Sequence, residues 1–131
     1  MNYLLDTNVF LWAESHAARL NSQAREILSD GHQAVYLSPA SSWEISIKVE
    51  LGKLRLPEPP RRFVLRRMAR GRWRSLPITH EHALQAGALP LHHRDPFDRM
   101  LIAQARSEGM VVMTADRQLE KYPVEILWCA T

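Results

Sequence analysis

Short apolar runs rich in β-branched residues alternate along this chain with helix-length segments, and this alternation restricts the fold more than any other feature. Residues 3–5, 34–37 (AVYL), 110–114 (MVVMT) and 124–128 read as strands, with 74–77 as a further short one. Between them, a short helix begins over 9–13, and residues 22–29 are helical up to a stop at Gly31. Ser38-Pro39 reads as N-cap and first helical residue of a helix through Glu50, ending near Gly52. Residues 61–69 form a basic helix after the proline-rich step LPEPP, and 81–88 another helix. Asp95-Pro96 caps a helix that runs to about Glu108 and ends at Gly109, and 117–121 is a helical turn. Strands separated by helices imply an α/β protein with a mostly parallel sheet between helical layers. In such sheets ligands sit beyond the carboxyl ends of the strands.

At 131 residues the chain is the length of a single domain, expected to span 1–131, and shows no internal repeat or linker. No apolar run approaches the about 18 residues that would span a bilayer. The start, MNYLLDTNVFLWAES, lacks the basic opening of a signal peptide, and one cysteine, Cys129, allows no internal disulfide. These features favour the cytoplasm, without a membrane partner. The net charge is +3, yet seven of the 17 Lys and Arg residues fall between Arg61 and Arg74. A concentrated basic segment beside separate acidic positions suggests an anionic partner, nucleic acid first.

The acidic residues fall where a parallel sheet would gather them. Asp6 follows the first strand. Glu44 lies in the second turn of the helix after the second strand. Asp95 and Asp98 open the helix leading into MVVMT, and Asp116 comes just after it. Gathered carboxylates repel unless a cation neutralises them, and hard oxygen ligands select Mg²⁺ or Mn²⁺. Such an ion activates a water and stabilises charge on phosphorus, the chemistry of phosphodiester hydrolysis. Each acid also has a structural reading. Asp6 and Asp95 suit N-caps, Glu44 could close a capping box with Ser41, Asp98 suits a first helical turn, and Asp116 a turn. Spacing alone leaves both readings open.

The segments YLLDTNVFLW, SSWEISIKVELGKL, LPLHHRDPFDRMLIAQA and VMTADRQLEKY carry, in order and across essentially the whole chain, a resemblance to the PIN-domain family, and within it to the VapC-like toxins of toxin–antitoxin pairs. The resemblance implies a three-layer α/β/α sandwich and a Mg²⁺- or Mn²⁺-dependent endoribonuclease that leaves a 5′-phosphate and a 3′-hydroxyl. It assigns the family's acids to Asp6, Glu44, Asp98 and Asp116, as both metal ligands and catalytic residues, with Thr7, Asn8 and Asp95 as accessories. An antitoxin that blocks the site and a homodimer are implied as protein partners, with RNA as substrate.

Arg62, Arg66 and Arg70, four apart on the basic helix, share one face. They would either contact RNA phosphates or form a solvated surface whose stems cover Phe63 and Met68. His80, His82, His92 and His93 lack metal-site spacing and are expected on the surface or in loops, with His92, His93 and Arg94 near enough to the acids to assist RNA. Trp12, Trp43, Trp73 and Trp128 are expected in the core or at interfaces rather than as stacking platforms. Two other functions fit less well. An aspartyl-phosphate phosphatase would carry a second Asp where Asn8 stands, and a scaffold without turnover would not need the full acid set.

Overall fold

The computed structural model describes residues 1–92 and 94–131. Five strands form one sheet: β1 (Asn2–Leu5), β2 (Ala34–Leu37), β3 (Arg74–Ser75), β4 (Val111–Thr114) and β5 (Ile126–Trp128). The order is β3-β2-β1-β4-β5, and every pairing is parallel. Six helices connect them: α1 (Thr7–Ser15), α2 (Ser22–Ser29), α3 (Pro39–Glu50), α4 (Pro60–Gly71), α5 (His80–Ala88) and α6 (Pro96–Glu108). Short 3-10 turns cover Ala17–Arg19 and Arg117–Lys121.

Two apolar cores on opposite faces of the sheet make the three layers. Successive strand side chains point to opposite faces, so Leu5 and Met113 join Val9, Phe10, Ile45, Phe63 and Trp73 on one side. Leu4 and Val112 join Leu101, Ile102, Met110 and Leu119 on the other. All four β4 residues are buried, as expected of a central strand covered by helices on both faces.

Local chemistry accounts for most element ends. Asn21 accepts from the Ala24 N–H to start α2, and Ser38 accepts from the Ala40 N–H to start α3. Asp95 accepts from the N–H groups of Phe97 and Asp98 to start α6, and Gly109, at φ 66°, ends it. Several bounds differ from expectation. α1 begins at Thr7, directly after Asp6. α2 ends through Asp30, and Gly31 does not adopt the left-handed conformation expected of a helix stop. α4 runs two residues past Ala69 because Arg72, at φ 57°, supplies a left-handed cap without being glycine. β5 begins only at Ile126, since Pro123 and the Val124 N–H bonded to Tyr122 O hold that stretch in a turn. His82 is another departure. It is 1% exposed, where a surface position was expected. Its Nδ1 accepts from the Thr79 N–H in a capping box, and its Nε2 lies 2.8 Å from Glu108 Oε1, linking α5 to α6. His93 is outside the described residues. No helix among the described residues is long and apolar enough to cross a membrane.

Candidate active site

The parallel sheet brings Asp6, Glu44, Asp98 and Asp116 to its carboxyl edge. Asp6 is the residue after β1. The β1–β4 register pairs Leu5 with Met113, and therefore sets Asp6 beside Thr114. The Asp6 N–H extends the ladder to Met113 O at 2.9 Å. Its carboxylate does not cap α1; Oδ2 accepts a 2.7 Å hydrogen bond from the buried Thr114 hydroxyl. Thr114 Oγ1 in turn accepts from the Asp116 N–H, so the strand end is tied to both acids. On the other side, Thr7 Oγ1 donates to Ser41 Oγ at 2.9 Å, which fastens the start of α1 to α3. Ser41 is thus used here and not in a capping box with Glu44.

Glu44 projects from α3 and is 5% exposed. Its Oε2 accepts from Lys48 Nζ at 2.6 Å, one helical turn on. Its Oε1 is buried and has no hydrogen-bond partner among the described residues. A buried carboxylate oxygen left in that state costs on the order of 1–3 kcal/mol, and it marks a place for a cation or a donor from outside the chain. Asp98 stands at the start of α6 and is 9% exposed. Asp95 serves as the α6 cap, and Asp116 accepts from the Gln118 N–H at the following turn, so for these two the capping and turn readings hold as geometry.

The electrostatics reflect one cluster of neighbouring charges. Burial pushes the Asp98 carboxyl up to about 8, and the charges of Asp6, Asp95, Glu44 and Asp116 add to the shift. Burial likewise raises Asp6 to about 6, helped by Glu44 and Asp116 and opposed by the Thr114 hydroxyl and the Thr7 N–H. Lys48 is pushed upward, first by its bond to Glu44 and further by Asp95 and Asp98. Cys129 is pushed up to about 12 by burial, with the Asp6 charge contributing, so it remains a thiol.

The donor set fits a hard divalent cation: oxygen ligands only, crowded negative charge, and one orphaned carboxylate oxygen. No three His, Cys, Asp or Glu side chains among the described residues form a ready-made ion cage.

Asn8 is exposed at the rim, next to Thr7. Lys48 and Thr114 were not singled out from the sequence. The i, i+4 spacing of Glu44 and Lys48 is readable in a helix, whereas Thr114 emerges only once β4 is known to neighbour β1. The expected arginine stripe is interrupted. Arg66 Nε lies 2.6 Å from Glu58 Oε1 and its Nη2 3.0 Å from Glu14 Oε1, while Arg62 and Arg70 are exposed. Since α4 leads into the start of β3, its carboxyl end lies at the sheet edge opposite the acids. Arg70 is thus about 12 Å further along the axis than Arg62. The tryptophans also divide. Trp73 is core, Trp12 and Trp128 are partly buried, and Trp43 is 65% exposed, contrary to a core position.

Fold and pocket together define a parallel α/β/α protein with a carboxylate cluster at the carboxyl edge of its sheet. The sequence profile of the PIN domain family matches residues 3–125, and the chain belongs to that family. It is similar to Ribonuclease VapC16 of Mycobacterium tuberculosis, with 41% identity over 66 residues, 50% of this chain and 47% of that protein. The match thus spans about half the length of that curated relative. The fold is shared with a chain of VapBC2 from Rickettsia felis, solved bound to a promoter DNA fragment (TM-score 0.72, 14% identity, covering 98% of this chain and 99% of that one). It is shared as well with a chain of DNA-bound VapBC from Salmonella typhimurium (TM-score 0.69, 20% identity, 97% of each).

Proposed function

We propose that this chain, folded as a single domain, is a divalent-metal-dependent endoribonuclease and the toxin of a toxin–antitoxin pair. The observation that carries this reading is the cluster itself: the buried carboxyls of Asp6, Glu44 and Asp98 come from three separate elements with Asp116 beside them, burial and the neighbouring charges raise the proton affinity of Asp6 and Asp98, and one Glu44 oxygen has no partner among the described residues. Kinship with a protein named as a ribonuclease and a fold shared with VapBC chains support the choice of RNA and of an antitoxin.

Asp6, Glu44 and Asp98 would hold the ion, and Asp116 would assist directly or through water. When bound, Mg²⁺ or Mn²⁺ supplies a Lewis acid that activates water and neutralises charge on the phosphate. The chain's own groups prepare for that ion. Asp98 and Asp6, protonated over much of the acidic range when the pocket is empty of cations, release protons as the cation enters. The Thr114 hydroxyl fixes the Asp6 carboxylate from behind, in the way outer hydrogen bonds orient metal ligands. Lys48 holds Glu44 Oε2 and is partly exposed. Thr7 and Ser41 lock α1 to α3 and keep Asp6 and Glu44 on one side of the pocket. Asn8 offers an exposed amide beside that pocket, and Asp95 shapes the start of α6. Of the basic stripe, Arg62 lies nearest the acidic edge and is the best placed for RNA. A homodimer and a cytoplasmic location complete the reading.

The test is cleavage of total and synthetic RNA by the purified chain with Mn²⁺ or Mg²⁺, with EDTA, and with Asp6→Asn, Glu44→Gln and Asp98→Asn. Metal-dependent cleavage that each substitution reduces by about a hundredfold or more supports the assignment, since losing a stabilising group at the reacting centre costs that order. Full activity in Asp6→Asn and Asp98→Asn would remove it.

A further inference from the structure

Of the four tryptophans, three have an evident structural use. Trp73 packs against Phe10 in the core, Trp12 lies under the Arg19 guanidinium at 4.7 Å, and Trp128 under Arg117 at 3.7 Å. Trp43 is 65% exposed, and its ring contact is with Phe97, edge to face at 5.5 Å between centroids and 84° between planes. A perpendicular contact cannot cover both broad faces of the indole, so aromatic surface remains open to solvent. An exposed large aromatic is the informative exception to apolar burial. Its place is also particular. Trp43 immediately precedes Glu44 on α3, and Phe97 immediately precedes Asp98 on α6. The pair therefore bridges the two helices that carry Glu44 and Asp98.

We propose that Trp43, braced by Phe97, is a nucleobase-binding platform that stacks the base adjacent to the scissile phosphate of single-stranded RNA. The inference rests on the ribonuclease reading above and adds a substrate-binding site to it. A nucleotide combines a phosphate with a flat aromatic base, and these two helices combine cation-seeking carboxylates with a flat aromatic surface. An antitoxin seated over the site would cover the same ring, and the substrates lacking a base in the test below separate the two occupants. Stacking requires an unpaired base, because in A-form duplexes the bases are already stacked and their faces are covered. Every base has a π-face, so the platform favours single strands without strong choice of base. Trp43 is a positioning residue here, acting through the base and not at phosphorus.

The test uses the full chain with Mn²⁺ and a single-stranded oligonucleotide that the wild type cuts, together with versions lacking the base on either side of the cut. Trp43→Ala is expected to raise KM roughly ten- to a hundredfold, the range of losing one base stack, with kcat changed far less. Trp43→Phe, which keeps a ring, retains most of the affinity. Removing one flanking base costs the wild type the same factor and costs Trp43→Ala almost nothing further. An unchanged KM in Trp43→Ala, or an abasic penalty of full size in that variant, overturns the platform while leaving the nuclease reading intact. A shift of Trp43→Ala from dimer to monomer in light scattering, with unaltered KM, assigns the ring to a protein contact and also overturns it. A wild type that cuts no RNA at all defeats the ribonuclease reading instead.

Discussion

Replacing Asp98 by asparagine should make the metal-free protein more stable at neutral pH, and the structure gives the size of the effect. In the unfolded chain Asp98 ionises near 3.8, whereas the folded, cation-free pocket holds its proton to about 8. Between these values the native state binds a proton that the unfolded state does not, so stability falls as pH rises. The full contribution is present below about pH 4 and is lost progressively up to about pH 8. Each pH unit in that window costs about 1.4 kcal/mol per proton, or up to roughly 4 kcal/mol by pH 7. Asp6 titrates in the same pocket, shifted upward to about 6, and the coupled pair shares the loss. Asparagine keeps the shape and removes both the titration and one repelling charge. Asp98→Asn should therefore match the wild type at pH 4 and exceed it by roughly 2–4 kcal/mol at pH 7–8. Urea unfolding in EDTA, followed by circular dichroism from pH 4 to 8, measures this. Saturating Mn²⁺ should reverse the ranking, because the ion stabilises only the native protein that binds it. Parallel pH profiles for the two proteins in EDTA would refute the argument.

Two other substitutions test the supports of the site. Thr114→Val removes the hydroxyl that donates to Asp6 and accepts from Asp116, and should cost about 1–2 kcal/mol in urea unfolding. It should also move the pH midpoint of Mn²⁺ binding upward, because Asp6 then holds its proton more tightly. His82→Ala removes the α5 cap partner and the bridge to Glu108 and should cost about 2–3 kcal/mol by the same measurement. Its RNA cleavage per folded molecule should be unchanged, since His82 lies in the α5–α6 packing away from the acids.

Much of the architecture was legible because it is written locally. The Ser38-Pro39 and Asp95-Pro96 steps mark helix starts by capping chemistry, and MVVMT is apolar on both faces because it is a central strand. The gathering of acids at one sheet edge followed from parallel topology, and the burial of Asp6, Glu44 and Asp98 agrees with that placement. What could not be read depends on partners distant in the chain. Arg66 looked available for phosphate until α4 packed it beside Glu14 and Glu58. His82 looked like one of a surface group until Glu108, 26 residues on, closed over it. Trp43 read as a core or interface residue, as aromatics usually are, and only the packing of α3 against α6 shows that its ring stays outside the core. Thr114 gained its role from a strand order that no local pattern encodes.

Calorimetric titration of Mn²⁺ at pH 7, repeated in buffers of different ionisation enthalpy, probes the carboxylate pocket most directly. If crowded, partly protonated acids take up a cation there, binding should release about one proton per ion. Asp98→Asn should weaken it at least ~10-fold and lower the proton release. Binding of equal strength in Asp98→Asn, or heats that do not vary with buffer, would contradict the assignment of the ion to these residues.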